Sequence, residues 1–158
     1  MRHGPLVAVA GPGDGADARC LAAAEETGRL LAEAGAILVS GGLGGVMEAA
    51  CRGATAAGGL TIGLLPGRDR TDANPFVSVG LATGLGEMRN ALLVRCADAV
   101  IGIGGSAGTL SEIALAQRTG VPVIWMLGWE ISPLAVPTVD SPGAAVAWAL
   151  EACGGTTS

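Results

Sequence analysis

Val39-Ser40-Gly41-Gly42-Leu43-Gly44-Gly45-Val46-Met47-Glu48 and Ile101-Gly102-Ile103-Gly104-Gly105-Ser106-Ala107-Gly108-Thr109-Leu110-Ser111-Glu112 share one grammar: an apolar run, clustered glycines, then a helical pattern that begins at once. Glycine leaves the backbone amides uncovered, so such a turn presents N–H groups to an anion at a helix N-terminus. Taken singly, each turn serves equally well as an ordinary tight connection between strand and helix. Two in one small chain predict a parallel sheet whose strands end on a shared crevice. The phosphate of a ligand is expected between Gly41, Gly42, Gly44 and Gly45 on one side and Gly104, Gly105, Ser106, Gly108 and Thr109 on the other.

Working outward, Pro5 to Ala10 reads as a buried strand, followed by the turn Gly11-Pro12-Gly13-Asp14-Gly15 and a helix over about Ala16 to Ala34. A strand over Ala36 to Ser40, a helix over Val46 to Ala57 and a strand over Leu60 to Leu65 come next, stopped by Pro66-Gly67. The polar stretch Arg68 to Pro75 follows a strand's carboxyl end and is expected to overhang the crevice. Beyond it the pattern gives a short strand near Phe76 to Leu81, a helix over about Glu87 to Cys96 and a strand over Ala99 to Ile103. A helix over Leu110 to Arg118 ends at Gly120, a strand covers Val121 to Leu127, and Ser141-Pro142 opens a last helix through Ala152. The predicted fold is α/β: one Rossmann-like domain over residues 1–158, a doubly wound parallel sheet with helices on both faces.

Composition removes whole classes of chemistry. All nine basic residues are arginine, so Schiff-base chemistry, pyridoxal phosphate attachment and the lysine of a P-loop are excluded. His3 is the one histidine and tyrosine is absent, which argues against histidine triads, histidine-ligated metals and tyrosine bases. Cys20, Cys51, Cys96 and Cys153 are widely spaced and read as buried apolar residues rather than a zinc or redox set. A net charge of −5 argues against nucleic acid, and no apolar run reaches the ~18 residues of a membrane span, so a cytoplasmic protein is expected. The turn at Gly11 to Gly15 is not a dinucleotide fingerprint, because its spacing is wrong and the second strand ends in Ser40-Gly41-Gly42 where an acidic ribose partner belongs.

Met88-Arg89-Asn90, then a helix, a strand and Gly104-Gly105-Ser106-Ala107-Gly108-Thr109-Leu110-Ser111-Glu112, resembles the signature of the LOG family, which long carried a lysine-decarboxylase label. Ser40-Gly41-Gly42-Leu43-Gly44-Gly45-Val46-Met47 resembles its other glycine motif. The resemblance implies a phosphoribohydrolase acting on cytokinin nucleotides or AMP, with Arg89 and Glu112 as its catalytic arginine and acid. Arg89-Asn90 and Ile103-Gly104-Gly105 stand where those enzymes usually have Arg-Lys and Pro-Gly-Gly. These departures resemble a neighbouring branch that includes molybdenum cofactor carrier proteins, which bind a phosphorylated pterin without turning it over. Absence of lysine independently disposes of the decarboxylase label.

Several residues keep two readings. Thr109-Leu110-Ser111-Glu112 fits a capping box with Thr109 as cap, while the resemblance turns Glu112 toward a ribose. Arg89 is either a solvated surface arginine or a ligand's counter-ion, with Glu87 as its partner or simply a first-turn acid. Glu48 reads as a first-turn carboxylate, Asp14 and Arg68 as turn formers or crevice residues, and Trp125, Trp129 and Trp148 as core or interface packing. The expected function is binding of a small phosphorylated, nucleotide-like ligand such as AMP, either cleaved at its N-glycosidic bond or, like a pterin, only carried or sensed. No resident cofactor or metal is implied. The alanine-rich helices and the resemblance imply a homo-oligomer, a dimer or tetramer.

Overall fold

In the computed structural model, which describes residues 4–154, alternation along β1 (Leu6–Ala10) already separates two cores. Val7 and Val9 face one helical layer and Ala8 and Ala10 the other, as period-two side-chain alternation requires. The remaining strands are β2 (Ile37–Ser40), β3 (Thr61–Leu65), β4 (Val79–Ala82), β5 (Ala99–Ile103), β6 (Val123–Met126) and β7 (Thr138–Val139). They pair in parallel in the order β4-β3-β2-β1-β5-β6-β7. Helices α1 (Ala18–Glu33), α2 (Val46–Ala56) and α5 (Pro142–Gly154) cover the Val7/Val9 face, and α3 (Arg89–Cys96) and α4 (Ala107–Thr119) cover the other. The doubly wound α/β sheet expected from the sequence is therefore present. Reading of Met1 to His3 lies outside the described residues.

Strand order places the switch of direction beside β1. The chain steps outward through β2, β3 and β4, then returns to pair β5 on the other side of β1, with Val7 opposite Ala99 and Ala10 opposite Gly102. A crevice opens at the carboxyl ends of strands where such a sheet reverses.

Boundaries shift for local reasons. Asp17 caps α1 by accepting from Cys20 N at 2.8 Å, so the helix starts at Ala18 rather than Ala16. Phe76 to Ser78 is drawn out of the expected strand because Thr61 Oγ1 donates to Phe76 O at 2.6 Å and accepts from Ser78 N at 2.8 Å. β7 is two residues long, too short for a period to register, and was not foreseen. Cys20 and Cys51 are buried as expected, whereas Cys96 is exposed because it ends α3 on its outer side.

α1 and α2 touch backbone to backbone. A Cβ at Gly28 would come within 1.9 Å of Ala50 O, and one at Gly53 within 1.9 Å of Glu25 O. Alanine is the better intrinsic helix former by about 1 kcal/mol, so propensity alone favours Gly28→Ala. Overpacking reverses the sign: Gly28→Ala or Gly53→Ala is expected to destabilise by about 1–3 kcal/mol in urea unfolding, with a Gly15→Ala control in open space showing only its local turn cost.

Candidate functional site

Three turns leave the carboxyl ends of adjacent strands: Gly11 to Gly15 after β1, Gly41 to Gly45 after β2, and Gly104 to Ser106 after β5. They border a cleft of about 390 Å³, within the range of small-ligand sites. Gly13 and Asp14 line it from the first turn, Leu43 and Met47 from the second, and Ser106, Gly108 and Thr109 from the third and the start of α4. Arg89, Asn90 and Glu112 close it. Among the described residues no metal-ligating group of three His, Cys, Asp or Glu side chains forms.

The two glycine turns do different work. In the β2–α2 turn, Gly42 N donates to Ser40 Oγ at 3.1 Å, and Val46 N donates to Pro12 O at 3.0 Å. Gly45 has a φ of 65° and no room for a side chain, since a Cβ would meet Gly13 O at 1.9 Å. This turn is largely committed to packing against its neighbour, and Gly44 is its open position. Asn74, a residue the sequence reading passed over, fastens it by donating from its backbone N to Gly42 O at 2.8 Å and from Nδ2 to Leu43 O at 2.9 Å. The rest of the Arg68 to Pro75 stretch does not overhang the cleft. Asp69 caps a 3₁₀ turn over Arg70–Asp72, and Arg68 lines a separate depression along β4.

The β5–α4 turn leaves backbone amides uncovered. Ser106, not Thr109, caps α4: its Oγ accepts from Thr109 N at 3.1 Å, so the helix begins at Ala107, earlier than the expected Leu110. The first amides of a helix have no intrahelical acceptor, which leaves those of Ala107 and Gly108 to solvent or ligand. Gly104 and Gly105 shape the approach. Trp125 Nε1 donates to Gly104 O at 2.7 Å, and half-exposed Trp129 lies so close over Gly105 that a Cβ there would meet its Nε1 at 2.2 Å. Trp125 is thus core, one of its two expected places, while Trp129 stays half-exposed.

With Thr109 inside the helix, the capping box at Glu112 is lost, and Glu112 lies 5% exposed in the cleft wall. Arg89 is 8% exposed, which overturns the solvated-arginine reading. Its Nη1 lies 3.9 Å from Glu112 Oε1, so Glu112 rather than Glu87 is its acidic neighbour. Nη2 lies over Gly41, where a Cβ would come within 2.6 Å. Arg89 Nε is buried without a hydrogen-bond partner among the described residues. A buried cation left incompletely bonded is costly, and an anionic ligand relieves that cost.

Burial pushes the Glu112 carboxyl up to about 8 against the opposing pull of Arg89, and burial also lowers the Arg89 guanidinium. At neutral pH Glu112 is mostly protonated, so the charge of Arg89 is not cancelled by its buried neighbour in a protein of net charge −5. Because the folded value exceeds the ordinary 4.5, the stability this group contributes is complete below about 4.5 and is lost as pH rises through about 8. Glu112→Gln stays neutral throughout. It is expected to match the wild type near pH 4.5 and to exceed it by roughly 2–4 kcal/mol at pH 9, read as the difference between two urea-unfolding profiles.

The chain shows 46% identity over 97 residues to an uncharacterized protein of Archaeoglobus fulgidus, a match covering 61% of this chain and 64% of that protein's length. Among solved structures it is similar to the molybdenum cofactor binding protein of the phototrophic bacterium Rippkaea orientalis, at 38% identity and a TM-score of 0.87 over 93% of this chain and 95% of that one. It is similar also to the molybdenum cofactor carrier protein of Chlamydomonas reinhardtii, at 30% identity and a TM-score of 0.87 over 96% and 99% of the two chains. The model of the SLOG cluster4 family matches residues 5–147, nearly the whole sequence, and the chain therefore belongs to that family, within the LOG-like superfamily whose motifs its glycine turns resemble.

Proposed function

We propose that the cleft holds a phosphorylated pterin of the molybdenum cofactor type and that the protein is a cytoplasmic carrier or sensor rather than a hydrolase. One observation carries this reading: Arg89 is buried between Gly41 and Glu112 with Nε unpartnered, beside the free amides that start α4. The phosphate sits on the α4 turn with Arg89 as its counter-ion, and the ring system occupies the space between Leu43, Met47 and the β1–α1 turn. Similarity to a binding protein and a carrier protein of this cofactor supports the choice of ligand.

Nucleotide hydrolysis is the second reading, favoured by Arg89 and Glu112 lying side by side in the cleft. Cleavage of an N-glycosidic bond develops positive charge on the ribose, which an ionised carboxylate stabilises. A Glu112 carboxyl that is mostly protonated at neutral pH supplies a hydrogen bond but little negative charge, which favours holding over cleaving. Anaerobic calorimetric titration with the molybdenum cofactor, and incubation with AMP followed by assay for free adenine, test the two together. Micromolar binding with no adenine released is expected, and adenine released by the wild type overturns the carrier reading. The exposed Met88 and Leu92 at α3 support the homo-oligomer, which sedimentation of the purified chain reads as a mass above the monomer.

A further inference from the structure

Asn90 makes contacts that neither reading of the cleft requires. Its Oδ1 accepts from Arg89 Nη1 at 2.6 Å, its Nδ2 donates to Ser111 Oγ at 2.9 Å, and Ser111 Oγ donates onward to Gly108 O at 2.7 Å. The direction of this chain is dictated by its ends. Arginine has no acceptor, so it must meet Oδ1; Ser111 gives its proton to Gly108 O and must accept from Nδ2. Consecutive residues of a helix do not face each other, so the contact between Arg89 and Asn90 is not a by-product of helical spacing. Both side chains leave α3 toward α4, and Gly41 bounds the guanidinium on its other side.

We propose that Asn90 is a positioning residue for ligand binding: through Ser111 and Gly108 it ties the Arg89 guanidinium to the first turn of α4, so that cation and helix amides meet the same phosphate. The proposal rests on the reading of the cleft as a phosphate site. Without Asn90 the guanidinium keeps its charge and loses its aim. A tie that only joined α3 to α4 costs stability alone, whereas a positioning tie acts on the ligand through Arg89 and through nothing else.

The test uses Asn90→Ala, Ser111→Ala and Asn90→Asp in the full chain, with AMP and, anaerobically, the molybdenum cofactor as probes. Asn90→Ala and Ser111→Ala are each expected to weaken binding by about tenfold, the scale of one hydrogen bond to a charged group. In an Arg89→Ala background Asn90→Ala is expected to add nothing, because the residue it acts through is gone. Asn90→Asp captures Arg89 with a full charge, so affinity falls further than in Asn90→Ala while the melting temperature holds. A ligand-free reading keeps the idea separate from the site assignment. The Arg89 Nε–Hε resonance, identified as the one missing from Arg89→Ala, is expected to shift and broaden in Asn90→Ala. Wild type that binds neither probe sinks the phosphate site and leaves the resonance to decide. An unchanged resonance, or an equal loss of affinity in the Arg89→Ala background, overturns the positioning role.

Discussion

Gly108→Asp is expected to weaken binding of a phosphorylated ligand by about 100-fold or more while the fold is kept or slightly strengthened. Gly108 lines the cleft in the first turn of α4, and the nearest atom to a Cβ there is Ser106 Oγ at 3.8 Å, so a side chain enters without a clash. An acidic residue at this position suits the helix dipole by about 0.3–1 kcal/mol, and exchanging a helical glycine for aspartate adds about 0.3 kcal/mol more. What it cannot tolerate is a second anion on the same amides. Gly105 is a poorer place for this test, since any side chain there must first displace Trp129. Calorimetric titration with melting followed in parallel gives both numbers. Wild-type affinity in a folded Gly108→Asp protein would move the phosphate away from α4.

The second large effect separates holding from cleaving. Arg89→Ala is expected to weaken binding by roughly 10- to 100-fold, since it removes the buried cation that lines the cleft. Glu112→Gln keeps the size and the neutral state that Glu112 already has at pH 7, so affinity changes by less than about threefold and no base is released by either protein. A hydrolase behaves oppositely. Its turnover falls by about 10²–10⁴ in Glu112→Gln with affinity nearly unchanged, because the carboxyl is then used only in the transition state. Free adenine from AMP, measured for all three proteins at pH 7, distinguishes the cases. Adenine released at the same rate by wild type and Glu112→Gln would remove Glu112 from the chemistry altogether.

The buried strand at Pro5 to Ala10 and the glycines after β2 and β5 were readable because short apolar runs and turn chemistry are local properties, whereas which of Val7, Ala8, Val9 and Ala10 faces which layer was not. The start of α4 was not, for a physical reason: Ser106 to Thr109 and Thr109 to Glu112 both have capping spacing, and only the end of β5 decides between them. That choice releases Glu112 from the backbone. Burial of Arg89 was equally hidden, because it depends on Gly41 lying beneath the guanidinium, and nothing local to Met88-Arg89-Asn90 signals it. Asn74 and Ser111 act over the same kind of distance, Asn74 tying its segment to the β2–α2 turn and Ser111 joining α4 to α3 through Asn90. Pairing of Gly28 with Ala50 and Gly53 with Glu25 leaves no periodic trace either, since glycine inside a helix reads only as a weak former.

That interlocked pair of helices decides which side of the cleft single substitutions can reshape. α1 leaves the turn that carries Asp14, α2 leaves the turn that carries Leu43, and the two backbones are in contact where no side chain intervenes to be exchanged. One bank of the cleft is therefore frozen, because any change in spacing there costs two helices at once. The opposite bank, where α3 and α4 meet through Asn90 and Ser111, is held by side chains that single substitutions can replace. Substitutions that reshape what the cleft accepts are therefore expected at the arginine bank, while the glycine bank stays a constant frame.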